Sequence, residues 1–440
     1  MRFSIAHLAC AAALMAPALV MADTYIYITN STPETVQVDV AHTGSKVLLK
    51  EGSEWRQEAT TIAPYATARV LAFNRYWGLK TGSTYNFDTK LTVNGETITA
   101  QQTMVGTWSG SNVHHSAKGA DFNAPWANDR NIHRFSSNYV MRPSTVAYSA
   151  KFTDGYDDFY YTISNNTPAE PLATDNTLKV LTYNAFALPV IAGDINTRLQ
   201  EMPAHLKGYD AIMFQELFSS SSPALLRALS EEYPYQTEIL KNKGGVNIHN
   251  GGVAIVSRYP IAQVDYFVYP DCTGTDCFAD KGFVKAEIIK GGNAYHLLST
   301  HAASFDTDAA RNIRQIQFQQ MRNFVEQNNV PQFDAVLYGG DFNVNKLKFP
   351  EDYAAAQQNL NATVPVSTGY VESTFDPRVN QYAAAYDTVE YLDYVVWSNA
   401  HRQPVTSRND VRVLRSTSDA MWGKWDLSDH FPVLGEFVFE

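Results

Sequence analysis

Residues 24–29 and 35–40 alternate apolar and polar side chains, the two-residue period of a half-buried strand. The same period flanks Asn94-Gly95, a dipeptide that favours the tight turn of a hairpin. Helical spacing is nearly absent up to residue 165, so residues 23–165 read as one all-β accessory domain. Phe159-Tyr-Tyr-Thr-Ile-Ser-Asn-Asn-Thr-Pro echoes the opening Tyr25-Ile-Tyr-Ile-Thr-Asn-Ser-Thr-Pro, as similar strands at the two ends of a sandwich would. A single echo does not make a repeat architecture. Residues 166–177, polar and carrying Pro168 and Pro171, read as a linker.

Beyond the linker the pattern mixes periods. Apolar runs predict strands over 178–184, 211–216, 252–257, 283–289, 295–301 and 335–341. Residues 196–207, 222–232 (Pro223 near the start) and 308–328 carry helical spacing. Several strands end in polar residues. The expected fold is α/β, a two-sheet sandwich over 178–440 with a polar site at its strand ends.

With 440 residues the chain exceeds one ordinary core, in keeping with two domains. Residues 1–22 have a basic start, an apolar run over 5–20 and small side chains at Val20-Met21-Ala22. This is the pattern of a secretory signal peptide cleaved near Ala22, and the run is short for a membrane span of about 20 residues. The mature chain is therefore expected to be extracellular or periplasmic. Cys10 leaves with the signal, and Cys272 and Cys277 suit a small disulfide loop in an oxidising compartment. A zinc site would need further ligands nearby. The net charge of −11 gives no general attraction to nucleic acid or anionic lipid, and favours a zwitterionic or neutral target.

The polar strand ends carry the chemistry: Asn184, Glu216, His301, Asp341 with Asn343, Asp393, and Asp429 with His430. A lone Asp-x-Asn is usually a turn; this many such positions in one segment are hard to assign to capping. Carboxylates and an Asn carbonyl are hard oxygen ligands that suit Mg²⁺ better than zinc. Two histidines suit acid and base work near neutrality, and a separate Asp can hold one imidazole in its working tautomer. There is no nucleophile elbow and no Gly-rich phosphate loop. The reaction class left is metal-assisted attack of water on a phosphodiester. Asp376 reads as a turn former, and His114, His115 and His133 as surface or core residues.

Thr182-Tyr-Asn184, Gln215-Glu216, Ser299-Thr-His301, Gly340-Asp341-Phe-Asn343, Leu392-Asp393-Tyr and Ser428-Asp429-His430 resemble, in this order, the endonuclease/exonuclease/phosphatase superfamily. That is the deoxyribonuclease-I-like fold. The intervening strings Glu232-Tyr-Pro-Tyr-Gln-Thr237, Gly251-Gly-Val-Ala-Ile-Val-Ser-Arg-Tyr-Pro-Ile261, Asp280-Lys-Gly-Phe283 and Ser373-Thr-Phe-Asp-Pro377 resemble the bacterial neutral sphingomyelinases. The similarity runs over 178–440 and leaves out 24–165. It implies a metal held by Glu216, Asn184 and Asp429: Mg²⁺, or Mn²⁺ or Co²⁺ in its place. It further implies His430 as general base oriented by Asp393, with Asp341, Asn343 and His301 around the phosphate. The implied reaction is hydrolysis of membrane sphingomyelin to ceramide and phosphocholine by a monomer.

Two departures stand out. The family places an acid where this chain has Asn250, so His301 is expected to be less basic here. The family's aromatic membrane hairpin shrinks to residues 418–425, where Met421, Trp422 and Trp425 are the candidates for membrane contact. A secreted nuclease on the same scaffold is the rival, along with a broader phospholipase C. A nuclease needs basic residues along its cleft, and no Lys/Arg cluster surrounds the motifs. Trp55, Trp77, Trp108 and Trp126 leave the accessory domain open to a carbohydrate or membrane ligand, against the plainer reading of aromatic core.

Overall fold

The computed structural model describes residues 23–44, 55–75, 79–153, 155–166, 169–242 and 249–440. The signal segment 1–22 and Trp77 lie outside the described residues. The chain divides into two compact units, one ending at Asn166 and the other beginning at Thr167.

The first unit is a sandwich of a six-stranded and a five-stranded sheet. Alternation sets its core: Ile26, Ile28 and Tyr161 of one sheet meet Val38, Phe87 and Leu91 of the other. Asn94 and Gly95 both take positive φ and close the hairpin between Thr84–Val93 and Glu96–Thr107. The two echoing segments lie side by side, Asp23–Ser31 pairing in parallel with Tyr156–Asn165. Tyr27 faces Tyr160 in this register, and their rings stack at 5.0 Å. His115 is buried against Tyr148 and Phe159, a core residue. Trp55 packs against the core, whereas Trp108 is 94% exposed at a hairpin tip.

The second unit stacks a seven-stranded on a six-stranded sheet. Leu178, Val180, Ala211 and Met213 of the first meet Tyr295, Leu297, Ala335, Leu337 and Val395 of the second. On the outer faces Leu181 and Tyr183 pack on the helices Ile195–His205 and Ser222–Leu229. Leu298, Val336 and Tyr338 pack on Asp308–Gln327 and Pro350–Leu360. The helix Pro350–Leu360 was not expected from its sequence: it buries only Asp352, Ala356 and Leu360 among half-buried or exposed Gln, Asn and Ala residues, too sparse a stripe to read.

These alternations fix the site. Extending the inner-face positions by steps of two brings Thr182 and Asn184, Ser299 and His301, Gly339 and Asp341, and Asp393 into the space between the sheets. At Gly339 an added Cβ would stand 2.1 Å from Met213 Cε, so the sheets close up directly below Asp341.

Candidate active site

The floor of the site is a hydrogen-bonded bridge between the sheets. Gln215 Nε2 donates to Ser299 Oγ at 3.1 Å, and Thr182 Oγ1 donates to Gln215 Oε1 at 3.2 Å. Glu216 follows with φ of 58°. Strict alternation would send it to the outer face under the helices. The left-handed turn lets the chain leave the strand and carries the carboxylate back into the gap, at some conformational cost.

Asn184 Nδ2 then donates to Glu216 Oε1 at 3.2 Å and to Asp341 Oδ2 at 3.1 Å, joining one carboxylate from each sheet. The Asn184 oxygen, expected to face a cation, is taken by the Phe186 N–H at 3.0 Å. Arg198 is fully buried beneath and donates to the carbonyls of Ala185, Phe186, Gly193 and Leu427. It thereby ties the loop after Asn184 to the loop that leads into Asp429. Ser428 Oγ donates to the Asn184 carbonyl at 2.6 Å and closes the same connection.

His430 Nδ1 stands 2.8 Å from Asp393 Oδ2, and its Nε2 3.9 Å from Asp341 Oδ2. Burial opposes charge on this ring, but Asp393, by charge and hydrogen bond, with Asp429 and Asp341, outweighs it and holds the imidazole well above the usual histidine range. The Asp393 backbone N–H is held by Thr374 Oγ1 at 3.3 Å. Asn343, also at positive φ, donates to the Ala302 carbonyl at 3.2 Å, and its N–H to Asp341 Oδ1 at 2.9 Å.

His301 Nε2 lies 3.3 Å from Lys281 Nζ and 3.6 Å from Asp341 Oδ2. An ammonium has only hydrogens to offer, so Nε2 accepts and the ring proton sits on Nδ1, which is buried without a partner among the described residues. Burial and the Lys281 charge hold His301 well below the usual histidine range. Asn250 gives its side-chain oxygen to Gly252 N–H at 2.8 Å and makes no hydrogen bond to His301 among the described residues. Lys281 was missed in the sequence. It is buried, paired with Asp276 at 3.0 Å, and donates to Ala302 O and Ser304 Oγ. Asp276 lies within the Cys272–Cys277 disulfide loop.

Oxygen donors and unmet charge suit a divalent ion. Glu216 Oε2 is buried without a hydrogen-bond partner among the described residues. Burial, then the Asp429 charge, pushes its carboxyl up, and burial does the same to Asp429. Such neighbouring carboxylates are relieved by a cation. Asp341, Asp393 and His430 bring ligand-capable atoms within 4.8 Å of one another, but Asp393 Oδ2 is committed to His430.

The membrane-contact expectation needs correction. Met421 is fully buried in the cluster containing Leu199 and Leu427, and Trp425 is 5% exposed. The segment forms a short 3₁₀ turn, Asp419–Met421, and of the three candidates only Trp422 stays partly exposed, edge-on against Trp425 at 4.9 Å. Asp376 is a turn residue, accepting from Arg378 N–H at 3.0 Å.

The Endonuclease/Exonuclease/phosphatase family profile matches residues 181–430. Sphingomyelinase C 2 of Leptospira interrogans is 34% identical over 306 residues, 63% of this chain and 48% of that protein. Sphingomyelinase C of Bacillus cereus is 31% identical over 294 residues, 59% of this chain and 88% of that one. A beta toxin of Staphylococcus aureus, crystallised as a double mutant with bound magnesium ions, superposes with a TM-score of 0.54 at 29% identity over 60% of this chain and 99% of its own.

Proposed function

The chain belongs to the endonuclease/exonuclease/phosphatase family, and from that premise we propose that it is a secreted, Mg²⁺-dependent phosphodiesterase that cleaves sphingomyelin into ceramide and phosphocholine. The observation that carries the chemistry is the His430–Asp393 pair facing Asp341 and the Asn184–Glu216 link across the sheet gap. His430 Nε2 takes a proton from the attacking water, with Asp393 fixing the proton on Nδ1 and balancing the imidazolium that forms. The water oxygen bonds to phosphorus as the bond to the ceramide oxygen breaks, and that oxygen is then protonated from solvent. Asp341 and Asn343 border the phosphate. His301, neutral, turns its Nε2 toward Lys281 and Asp341 at the edge of the phosphate, with the ring proton on the buried Nδ1. Glu216, Asn184 and Asp429 would hold the divalent ion, Asn184 after turning its amide over. When bound, the ion supplies charge neutralisation at the phosphate and the leaving oxygen. The disulfide fits an exported chain, cleaved near Ala22.

The test is a headgroup panel of sphingomyelin, phosphatidylcholine and DNA, each with EDTA or Mg²⁺. Metal-dependent phosphocholine release from sphingomyelin supports the proposal. Cleavage of DNA alone replaces it with a nuclease, and equal cleavage of both lipids with a broader phospholipase C.

A further inference from the structure

Beside the acid–base pair the chain builds a wall from residues 374–392 that the chemistry above does not use. Phe375, buried, packs edge-on against the His430 ring at 5.3 Å. Tyr386 stands edge-on to Phe375 at 5.1 Å and is 55% exposed. Phe375 and Glu390 are directly opposed in an antiparallel bridge, exchanging N–H to O contacts at 3.0 and 2.8 Å. Opposed residues of such a pair project to the same side, so Glu390 stands beside the Phe375–Tyr386 stack. Thr388 Oγ1 donates to Glu390 Oε1 at 2.6 Å and fixes the carboxylate.

Resting on the proposed function, we infer that Tyr386 and Glu390 form the subsite for a quaternary ammonium headgroup next to the phosphate. A quaternary cation offers no N–H, so it is recognised by an aromatic face and a nearby carboxylate rather than by hydrogen-bond acceptors. The wall has both, within two ring contacts of His430. Asp306, Asp387 and Glu390 all act on the Lys348 ammonium, which is paired with Asp306 at 2.9 Å, while the wall's own Arg378 is paired with Asp376 and Lys346 lies over Tyr391. The negative charges of Asp429 and Glu216 reach the Tyr386 phenol, behind burial in effect, so the ring lies near the carboxylates of the centre. The same rim would repel the polyanionic backbone of a nucleic acid.

The experiment compares p-nitrophenylphosphocholine with the cation-free bis(p-nitrophenyl) phosphate, using the full-length protein. Tyr386→Leu and Glu390→Gln should each lower kcat/KM for the choline ester relative to the cation-free ester by about tenfold, mainly through KM. Tyr386→Phe, which keeps the ring, should stay near wild type. Tetramethylammonium should bind the wild type in calorimetry and bind both variants more weakly. A parallel loss on both esters, or undiminished tetramethylammonium binding in the variants, overturns the subsite. A wild type that cleaves neither choline ester nor sphingomyelin sinks the parent reading instead, and calorimetry then decides the subsite by itself.

Discussion

Gln215 Nε2 donates to Ser299 Oγ across the gap between two stacked sheets, immediately below the acidic centre. Neither residue reaches a substrate, yet together with Thr182 they set how far apart the two halves of the site stand. Gln215→Leu strands two buried hydroxyls. We expect a loss of about 1–3 kcal/mol in urea unfolding and a clear fall in kcat.

Asp393→Asn keeps the shape of the pair but offers His430 an amide in place of a charge. Turnover should drop by about 10²- to 10⁴-fold, as when the orienting acid of a triad is neutralised, with circular dichroism unchanged. Because Asp393 raises the His430 pKa, and the base works as free imidazole, the acid limb of the residual pH–rate profile should move to lower pH. A limb that stays in place would remove Asp393 from this role.

Glu216→Gln removes a crowded buried charge and a metal oxygen together. The metal-free variant should melt at or above the metal-free wild type, while the Tm increase that Mg²⁺ gives the wild type should vanish. Calorimetric titration with Mg²⁺ checks the second half directly.

In metal-free protein the contributions of Glu216, Asp429 and His430 to stability should fall as pH rises from about 5 to about 8, read as the difference between wild type and Glu216→Gln. Glu216 and Asp429 have folded pKa values raised above their unfolded ones, so the folded state binds extra protons between the ordinary carboxylate range and neutrality, and that advantage disappears on deprotonation. His430 acts with the same sign. Its raised pKa stabilises fully below about pH 6.5, and the contribution is lost as pH rises through the folded value. Thermal melts of wild type and Glu216→Gln in EDTA across this range test it, since His301, depressed by burial and Lys281, contributes with the opposite sign in both; a wild-type Tm that gains on the variant as pH rises would contradict it.

The Cys272–Cys277 loop is small, with a sequence separation of 5, so opening it should cost only about 2 kcal/mol through chain entropy. The loop also seats Asp276 against Lys281, which in turn meets His301. Cys272→Ser with Cys277→Ser should therefore reduce turnover more than stability, and Asp276→Asn, with the disulfide intact, should reproduce the kinetic part.

Much of the site was legible because strands convert sequence parity into a face. Once residues 178–184, 295–301 and 335–341 were read as strands, Asn184, His301 and Asp341 had to project the same way as the core residues two and four positions back. Glu216 escapes that rule through a left-handed turn that its own sequence does not announce. Gln215 was available by parity and was overlooked because its acidic neighbour drew the chemical reading. Lys281 stands in the string Asp280-Lys-Gly-Phe283, but no role could be read for it there: it acts from a loop, and its partner Asp276 depends on where a disulfide folds the chain. Residues 418–425 misled because Trp and Met serve both core and membrane surface, and composition alone does not choose between them.

In the accessory unit the first strand, Asp23–Ser31, runs parallel to the last, Tyr156–Asn165. The chain therefore enters at one end of this sandwich and leaves at the other. Tension applied at those two points would load the whole ladder between the strands in shear, all bonds at once, instead of peeling them singly.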